Sequence, residues 1–288
     1  MTPRRAGDRR AARSVVGRAA VVLVLALGTL LTSAGAALAA PIDMAASAAR
    51  PGGGGGGGGP KATRGYDISW PQCDGAYPAK PAFGIVGVNR GIVFSENPCL
   101  ASQIAWAGGA AGELYVNTAN PGPALSSRWP VGQTSPRYCD PANPDTAECA
   151  YDYGWNAAVA SFEIAVAAYE SLSLAASPTG TTWWLDVETS NSWREEAFAL
   201  AFNVAALEGQ VDYLHSVGVT KLGFYSTTSQ WGAITGGTTA FAAYPSWGAG
   251  APNERVARSH CQSTPGFTGG RLAMVQYPWA GFDADLRC

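Results

Sequence analysis

The chain has 288 residues, of which 47% are hydrophobic, 10% aromatic and 14% charged. This composition is too apolar and too aromatic for an intrinsically disordered protein, so it predicts a folded one. The formal net charge is −2, and it becomes −7 if the first 39 residues, with their six arginines and one aspartate, are removed. An acidic chain without basic clusters has little to attract nucleic acid or an anionic membrane, so neither is expected as a partner.

The N-terminus has the pattern of an export signal, which we assign to residues 1–39. Its arginines precede an apolar run from Ala19 to Leu31, and Ala37-Leu38-Ala39 forms a cleavage site of small residues. At ~1.5 Å per residue, the run covers only about 20 Å of the roughly 30 Å hydrocarbon core, which favours cleavage over a retained anchor. The general and the twin-arginine export routes both stay open. The mature protein is expected to be secreted.

Six cysteines follow the cleavage site, and an even number in an exported chain predicts disulfides. Sequence alone allows fifteen connectivities, although loop closure favours pairing between neighbours. The expected pairs are Cys73 with Cys99, Cys139 with Cys149, and Cys261 with Cys288. Metal binding is disfavoured because the chain has no Cys-x-x-Cys motif and only two histidines. No cofactor is expected.

A linker precedes the folded domain. Residues 40–62 are rich in alanine and include eight consecutive glycines between Pro51 and Pro60, a composition typical of flexible coil. The remaining stretch, 63–288, has the length of one large domain. We expect this domain to be a monomer.

Short apolar runs alternate with helical patterns along the domain, which is typical of βα units and a parallel sheet. The predicted strands are 65–69, 83–88, 114–117, 182–188, 222–225, 244–247 and 272–277. Apolar residues at spacings of three and four predict helices around 159–169 and 200–214, the second ending at Gly218. Residues 117–151 are predicted to be a long functional loop. The pattern favours an α/β fold, a small TIM-like (β/α) barrel, over a doubly wound sheet, which would need a phosphate-binding glycine motif.

Two carboxylates end the most apolar predicted strand, Trp183-Trp184-Leu185-Asp186-Val187-Glu188. Because strand side chains alternate, Asp186 and Glu188 point to one face, about 6.6 to 7 Å apart along the strand. Two acids on a buried face drive their pKa values apart, so one stays protonated while the other is ionised. Cleavage of a glycosidic bond needs such a pair. The alternative is that these acids merely begin a polar loop that caps the next helix.

Two further acids lie at strand ends. Asp67 falls within Gly65-Tyr66-Asp67-Ile68-Ser69-Trp70-Pro71-Gln72, and Asp283 ends Gly281-Phe282-Asp283, which follows Val275-Gln276-Tyr277. These motifs, with Asp186-Val187-Glu188 and Gly223-Phe224-Tyr225-Ser226 in order between them, resemble glycoside hydrolase family 25, the lysozyme-like N-acetylmuramidases. The resemblance runs through nearly the whole domain.

The resemblance implies an incomplete (β/α) barrel that hydrolyses the β-1,4 bond after N-acetylmuramic acid in peptidoglycan. Matched residue by residue, it makes Glu188 the general acid. Asp186 would stabilise an oxocarbenium ion or an intermediate derived from the N-acetyl group. Asp67 and Asp283 would orient this pair and the substrate, and Tyr225 would line the cleft.

Two strand ends depart from the family pattern. Arg90, in Val88-Asn89-Arg90-Gly91, stands where the family has the glutamate of Thr-Glu-Gly, and Asn117 stands in a strand where aromatic and histidine residues are common. A cation beside Asp67 or Asp186 would lower the carboxylate pKa, which harms an acid catalyst. The chain is therefore expected to be a divergent relative. A non-catalytic glycan-binding module and a chitinase-like N-acetylhexosamine hydrolase remain alternatives.

Several residues that follow strands or lie in loops are expected to bind the substrate. They are Trp70, Arg90, Asn117, Trp193, Tyr225, Gln276 and Tyr277. Aromatic rings in such places can stack on sugars, an argument that also applies to Trp155 and Trp279, although core packing is the more frequent role for any one tryptophan. A hydrolytic triad is not expected, because neither histidine lies near a serine or cysteine motif.

Overall fold

The structure is a computed structural model that describes residues 64–79 and 81–288. The predicted export signal, the glycine-rich linker and the domain boundary at Thr63 lie outside the described residues. The elements in chain order are β1 Arg64–Ile68, β2 Gly84–Gly87, α1 Leu100–Trp106, β3 Glu113–Asn117, α2 Ala147–Ser171, β4 Thr182–Asp186, α3 Leu200–Ser216, β5 Lys221–Ser226, α4 Thr228–Thr235, β6 Ser246–Gly248, α5 Glu254–Ser263, β7 Leu272–Trp279 and β8 Phe282–Arg287.

The strands form one closed barrel in chain order. Strands β1 to β7 are parallel to one another, whereas β8 runs antiparallel to both of its neighbours, β7 and β1. The predicted TIM-like barrel is confirmed, and closure excludes the doubly wound open sheet. The expectation of parallel strands alone was wrong, because a hairpin at Ala280 and Gly281, both with positive φ, sends β8 back along β7. Asp283 therefore lies on a strand and not in a loop after the last one.

The barrel is irregular in its helices as well. One α-helix follows each of β2 to β6, whereas the described residues between β1 and β2 form only a short 3-10 turn at Trp70–Gln72. The predicted end of α3 is confirmed, since Gly218 has φ +97° directly after the helix. None of the helices among residues 64–79 and 81–288 is long and apolar enough to cross a membrane.

Alternation along the strands builds two apolar layers. Trp184 points into the barrel and packs with Ile85, Tyr225, Trp247 and Met274. Its neighbours in sequence point outward, against the helices. Because strand side chains alternate, a run of consecutive apolar residues such as β4 fills both layers. The strand is thereby fixed in depth and rotation, which sets where the residues at its end emerge.

Helices α2 and α3 pack closely at two glycines. A Cβ added at Gly154 would lie 1.8 Å from the carbonyl oxygen of Ala206, and one at Gly209 would lie 2.0 Å from that of Tyr151. Helix α2 begins at Ala147, so the predicted loop is confined to residues 118–146. Trp155 consequently lies within a helix, where it packs edge-on against Tyr213, and not in a loop.

Three disulfides connect the neighbours that loop closure favoured. Cys73–Cys99 joins the turn after β1 to the start of α1, and Cys261–Cys288 joins α5 to the residue after β8. Cys139–Cys149 fastens the loop 118–146 to the first turn of α2. Each bond restricts the unfolded chain and stabilises the fold, typically by about 2–4 kcal/mol.

The glycine contact between α2 and α3 can be tested by adding one methyl group. Gly154→Ala should lower the free energy of unfolding by about 3 kcal/mol or more, because the facing backbone carbonyl has no room to retreat. The measurement is urea denaturation with the disulfides intact. The matched control is Gly232→Ala in α4, where the new Cβ meets nothing within 4 Å. There alanine should be neutral or should stabilise by up to about 1 kcal/mol. Equal stability of the two variants would contradict the close packing.

Candidate active site

A small pocket of about 160 Å³ opens at the carboxyl ends of the parallel strands. It is lined by Asp67, Tyr115, Asp186, Glu188, Tyr225, Trp247, Gln276 and Asp283. In (β/α) barrels this end carries the reactive groups, because loops from many strands converge there. The structure thus gathers four acids that are far apart in sequence. We call this the reaction pocket.

Strand β4 supplies two of the acids. Asp186 is its last residue and is only 3% exposed, and Asn117 at the end of β3 donates a hydrogen bond from Nδ2 to Asp186 Oδ2 at 2.5 Å. Glu188 lies two residues further on and is half-buried. Its carbonyl oxygen accepts a hydrogen bond from Trp193 Nε1 at 3.0 Å. The next residue, Thr189, donates its backbone N–H to Gln230 Oε1 at 2.6 Å, so the main chain on both sides of the acid is anchored.

A hydrogen-bonded row crosses the opposite wall of the pocket. Tyr225 donates its hydroxyl to Gln276 Oε1 at 2.8 Å, and Gln276 Nε2 donates to Asp67 Oδ2 at 2.9 Å. Asp67 lies opposite Asp283 in the β1–β8 pairing. The row orients the Asp67 carboxyl group and ties strands β5, β7 and β1 together at the pocket.

Asp285 is a site residue that the sequence reasoning missed. It is fully buried below the pocket, and Trp247 donates from Nε1 to its Oδ1 at 2.8 Å. Because β8 runs against the other strands, Asp283 lies at the mouth and Asp285 two residues deeper on the same face. The alternation argument used for Asp186 and Glu188 would have found this pair, had β8 been recognised as a strand. Tyr115 and Trp247, which also line the pocket, were likewise missed.

Crowded acids and poor hydration raise the carboxyl pKa values. Burial is the largest cause at every one of these acids. The pKa of Asp67 rises to about 7 through burial and the charge of Asp283, against the hydrogen bond from Gln276. That of Asp186 rises well above its usual range through burial and the charges of Glu188 and Asp67, against the hydrogen bond from Asn117.

The pKa of Glu188 is also raised, first by burial and then by the charge of Asp283, against the side chain of Gln230. Like charges in a poorly hydrated space cannot all ionise together. The pocket therefore holds protons at a pH where ordinary carboxyl groups have lost theirs, which is the condition for acid catalysis.

Arg90 does not lie beside the acids, as its position in the sequence suggests. It is exposed, does not line the reaction pocket, and places its guanidinium carbon 5.0 Å from the ring centre of Trp70. The expected lowering of the Asp67 and Asp186 pKa values is wrong, since both pKa values are raised. The Arg90 guanidinium packs on the face of the Trp70 ring at the rim of the barrel. It therefore does not lower the pKa values of the acids in the pocket.

The structure does not bring all the predicted binding residues to the pocket. Tyr277 is 1% exposed and accepts a hydrogen bond from Arg64, because alternation along β7 turns Gln276 inward and Tyr277 outward. Trp193 is half-buried and supports the Glu188 main chain. Trp70 and Trp279, which follow β1 and end β7, are 38% and 43% exposed. Trp70 lies in the turn that follows β1, whereas the Trp279 ring centre lies 3.8 Å from the guanidinium carbon of Arg64, the first residue of β1.

No protein-family model matches the chain. A 64-residue segment is 42% identical to a curated protein of Dictyostelium discoideum, probable GH family 25 lysozyme 4, and it covers 22% of this chain and 28% of that protein. The chain thus matches little more than a quarter of the length of this curated relative. The match confirms the resemblance to glycoside hydrolase family 25.

Solved structures of similar proteins include a muramidase of Trichobolus zukalii, with 20% identity and a TM-score of 0.47. Another is a family GH25 lysozyme of Aspergillus fumigatus, with 16% identity and a TM-score of 0.48. Each comparison covers 79% of this chain and 94% of the other. Because both TM-scores are below 0.5, the barrel is established by the strand order of this chain itself.

The raised pKa of Asp67 makes a testable link between pH and stability. Its pKa in the folded state is about 7 against an ordinary 3.8, so between these values the native protein binds the proton more tightly than the unfolded chain does. This contribution to stability therefore falls as the pH rises from about 4 to 7. Asp67→Asn should stabilise the protein at pH 8 by about 1–2 kcal/mol, a figure reduced for the partial exposure of this side chain.

The measurement is thermal unfolding of both proteins at pH 4 and pH 8. The gain from Asp67→Asn should disappear at pH 4, where the native carboxyl group is protonated. Asp74→Asn, at an exposed aspartate away from the pocket, is the matched control and should show no such difference. A gain that is the same at both pH values would show that the effect is not due to ionisation.

Proposed function

We propose that this chain is a secreted N-acetylmuramidase, a lysozyme-like glycoside hydrolase that cleaves the β-1,4 bond of peptidoglycan. The observation that carries the proposal is the convergence of Glu188 and Asp186 with Asp67 and Asp283 in one pocket at the mouth of a barrel. The matched segment of a family 25 lysozyme supports the same conclusion. The three disulfides of this chain are consistent with function outside the cell.

Glu188 is the proposed general acid. It is half-buried, and burial raises its pKa, so it keeps its proton to a higher pH than an ordinary glutamate does. A protonated carboxyl group beside the glycosidic oxygen can transfer that proton to the leaving sugar as the bond breaks. The anchored main chain around Glu188 holds the acid in position. Such positioning avoids the loss in rate that a displacement of the acid would cause.

Asp186 is the proposed partner of this acid. Asn117 holds Oδ2 and favours the carboxylate form, while Oδ1 is buried and has no hydrogen-bond partner within the described chain. The carboxylate lies in the wall of the reaction pocket, where its negative charge can stabilise the positive charge that develops on the sugar or an intermediate derived from the N-acetyl group. Whichever of the remaining acids is ionised adds negative charge around the developing cation. Asp67 is held by the row from Tyr225 and Gln276, which suits it to orient the sugar.

The two alternative functions predict different behaviour. A glycan-binding module needs no acid with a raised pKa, so the protonation of this pocket favours catalysis. A chitinase-like hydrolase would use the same pair of acids, and products from chitin and from peptidoglycan separate it from a muramidase. We propose that the mature protein acts as a monomer at the cell wall, without nucleic acid or membrane as a partner.

Replacing the proposed acid tests the reaction directly. Glu188→Gln should lower kcat on purified peptidoglycan by about 10²–10⁴-fold, because the amide cannot protonate the leaving oxygen. The measurement is the release of reducing ends. Glu163→Gln, at an exposed glutamate on α2, is the matched control and should leave the rate unchanged. If the unmodified protein releases no reducing ends, the proposed activity is wrong.

The contact between Asn117 and Asp186 should appear in the pH profile. Asn117→Ala removes the hydrogen bond that favours the Asp186 carboxylate, so the pKa of Asp186 should rise further. The acid limb of the kcat profile should therefore move to higher pH, with kcat at the optimum about tenfold lower, a cost of roughly 1.4 kcal/mol. Asn143→Ala, at an exposed residue of the loop 118–146, is the control. A uniform loss of rate without a shifted limb would contradict this role.

A further inference from the structure

A second, larger cavity of about 500 Å³ lies at the same end of the barrel. Its walls come from residues 91–94 after β2, from Asn117 and residues of the following loop as far as Arg128, from residues 190–192 after β4, and from Tyr153 of α2. Its lining combines apolar side chains with hydroxyl and amide groups. We call it the accessory pocket. No residue of the proposed reaction lines it except Asn117, so its contents are not determined by the hydrolysis itself.

Asn117 connects the two pockets. It lines the accessory pocket, and its Nδ2 atom donates to the Asp186 carboxylate in the reaction pocket. A sugar ring held at Asp186 would therefore carry any substituent on this side directly toward the accessory pocket. The two spaces can serve different parts of one ligand.

Charge divides the two pockets. Four carboxyl groups line the reaction pocket, and a fifth, Asp285, lies beneath it. Among the described residues that line the accessory pocket, Arg128 is the only charged one. A substituent that ends in a carboxylate is repelled by the first pocket and attracted to the second.

The wall that carries Arg128 is rigid. Trp129 packs against Tyr153 with ring centres 5.1 Å apart and donates from Nε1 to Pro144 O at 2.7 Å. The Cys139–Cys149 disulfide lies in the same apolar cluster. Residues of the loop 118–146 are therefore anchored before any ligand binds, which reduces the entropy lost on binding.

Phe94 completes this wall in an unusual conformation. Its φ is +60°, which is rare and costly for a bulky residue, yet its ring packs edge-on against Tyr153 at 5.3 Å. The guanidinium carbon of Arg128 lies 5.8 Å from the centre of the Phe94 ring. The strained backbone thus places an aromatic face beside the one cation of the pocket, and such strain is typical of binding sites.

Exposed apolar side chains lie at the rim. Leu125 is 81% exposed and Ile92 is 68% exposed, and both line the accessory pocket. Next to hydroxyl groups and a cation, they offer a surface for a ligand that has small apolar side chains, amide groups and a carboxylate. That combination is the chemistry of a short peptide. A cavity of about 500 Å³ is within the range for such a ligand and far larger than a single lactyl group needs.

We propose that the accessory pocket binds the peptide substituent of the glycan, with Arg128 pairing with a peptide carboxylate and Ile92 and Leu125 contacting apolar side chains. This inference rests on the proposed function, because it names the part of peptidoglycan that selects the substrate. The protein should accordingly distinguish peptide-bearing glycan from glycan whose peptides have been removed.

The first experiment compares kcat and KM on peptide-bearing glycan and on the same glycan after an amidase has removed its peptides. The unmodified protein should favour the peptide-bearing glycan by about tenfold in kcat/KM, equivalent to 1.4 kcal/mol. Arg128→Gln should abolish most of this preference through KM, with kcat unchanged. Arg137→Gln is the matched control, because Arg137 belongs to the same loop but stacks on Tyr151 and does not line the pocket.

The second experiment measures binding without turnover. The full-length Glu188→Gln protein, with and without Arg128→Gln, is titrated with peptide-bearing glycan, peptide-free glycan and a neutral chito-oligosaccharide. Peptide-bearing glycan should bind most tightly, and Arg128→Gln should weaken that ligand alone. If peptide-free glycan binds equally tightly and Arg128→Gln weakens both, the lactyl carboxylate is the ligand and the peptide proposal is overturned.

The two proposals fail in different ways. Cleavage of both glycans with no preference for peptide overturns the proposal that the accessory pocket binds the peptide, but it supports the proposed muramidase activity. An absence of cleavage together with peptide-dependent binding overturns the muramidase and supports the pocket. Thermal unfolding of Arg128→Gln should match that of the unmodified protein, since this arginine is exposed.

Discussion

The antiparallel pairing of β8 with β1 and β7 is the constraint on which the site depends. Without it, two strand edges would have unpaired backbone groups and the barrel would be an open sheet. Its reversed direction brings Asp283 to the mouth, opposite Asp67, and places Asp285 beneath them. The same strand pairing therefore closes the barrel and brings the acids together.

This arrangement concentrates negative charge where water is scarce. Burial and mutual repulsion raise the pKa values of Asp67, Asp186 and Glu188, which lowers stability near neutral pH and provides protons for acid catalysis. Hydrogen bonds to Asp186 and Asp67 oppose that trend and give each carboxyl group a distinct environment. Arg128 gives the accessory pocket a positive charge, in contrast to the acids of the reaction pocket. One end of the barrel thus offers separate places for a developing cation and for an anion.

Helices and disulfides are distributed unevenly around the end of the barrel that carries the two pockets. Between β1 and β2 the described residues form only a 3-10 turn, whereas the loop after β3 is long, anchored by Cys139–Cys149, and followed by α2, the longest helix that the structure describes. The close approach at Gly154 and Gly209 sets that helix against α3. The long loop therefore has a firm base from which to form one wall of the accessory pocket.

Features that depend on local periodicity could be predicted from the sequence. Period-two alternation predicted that Asp186 and Glu188 share a face, and the spacing of apolar residues predicted α3. The strand β8 was not recognised, because its hairpin uses Ala280-Gly281 in place of the usual Asn-Gly or Asp-Gly signal. Its polar residues also face inward, which reverses the common pattern of a strand.

The sequence by itself determined the βα rhythm and the pair of acids on β4, and it favoured disulfides between neighbouring cysteines, since each depends on residues close together in the chain. Only the tertiary structure decided that Asp285 lies under Asp67 and that Arg90 turns away to Trp70. Both outcomes depend on closure of the barrel, which sets distances between segments far apart in sequence. Spacing along a chain carries no information about those distances.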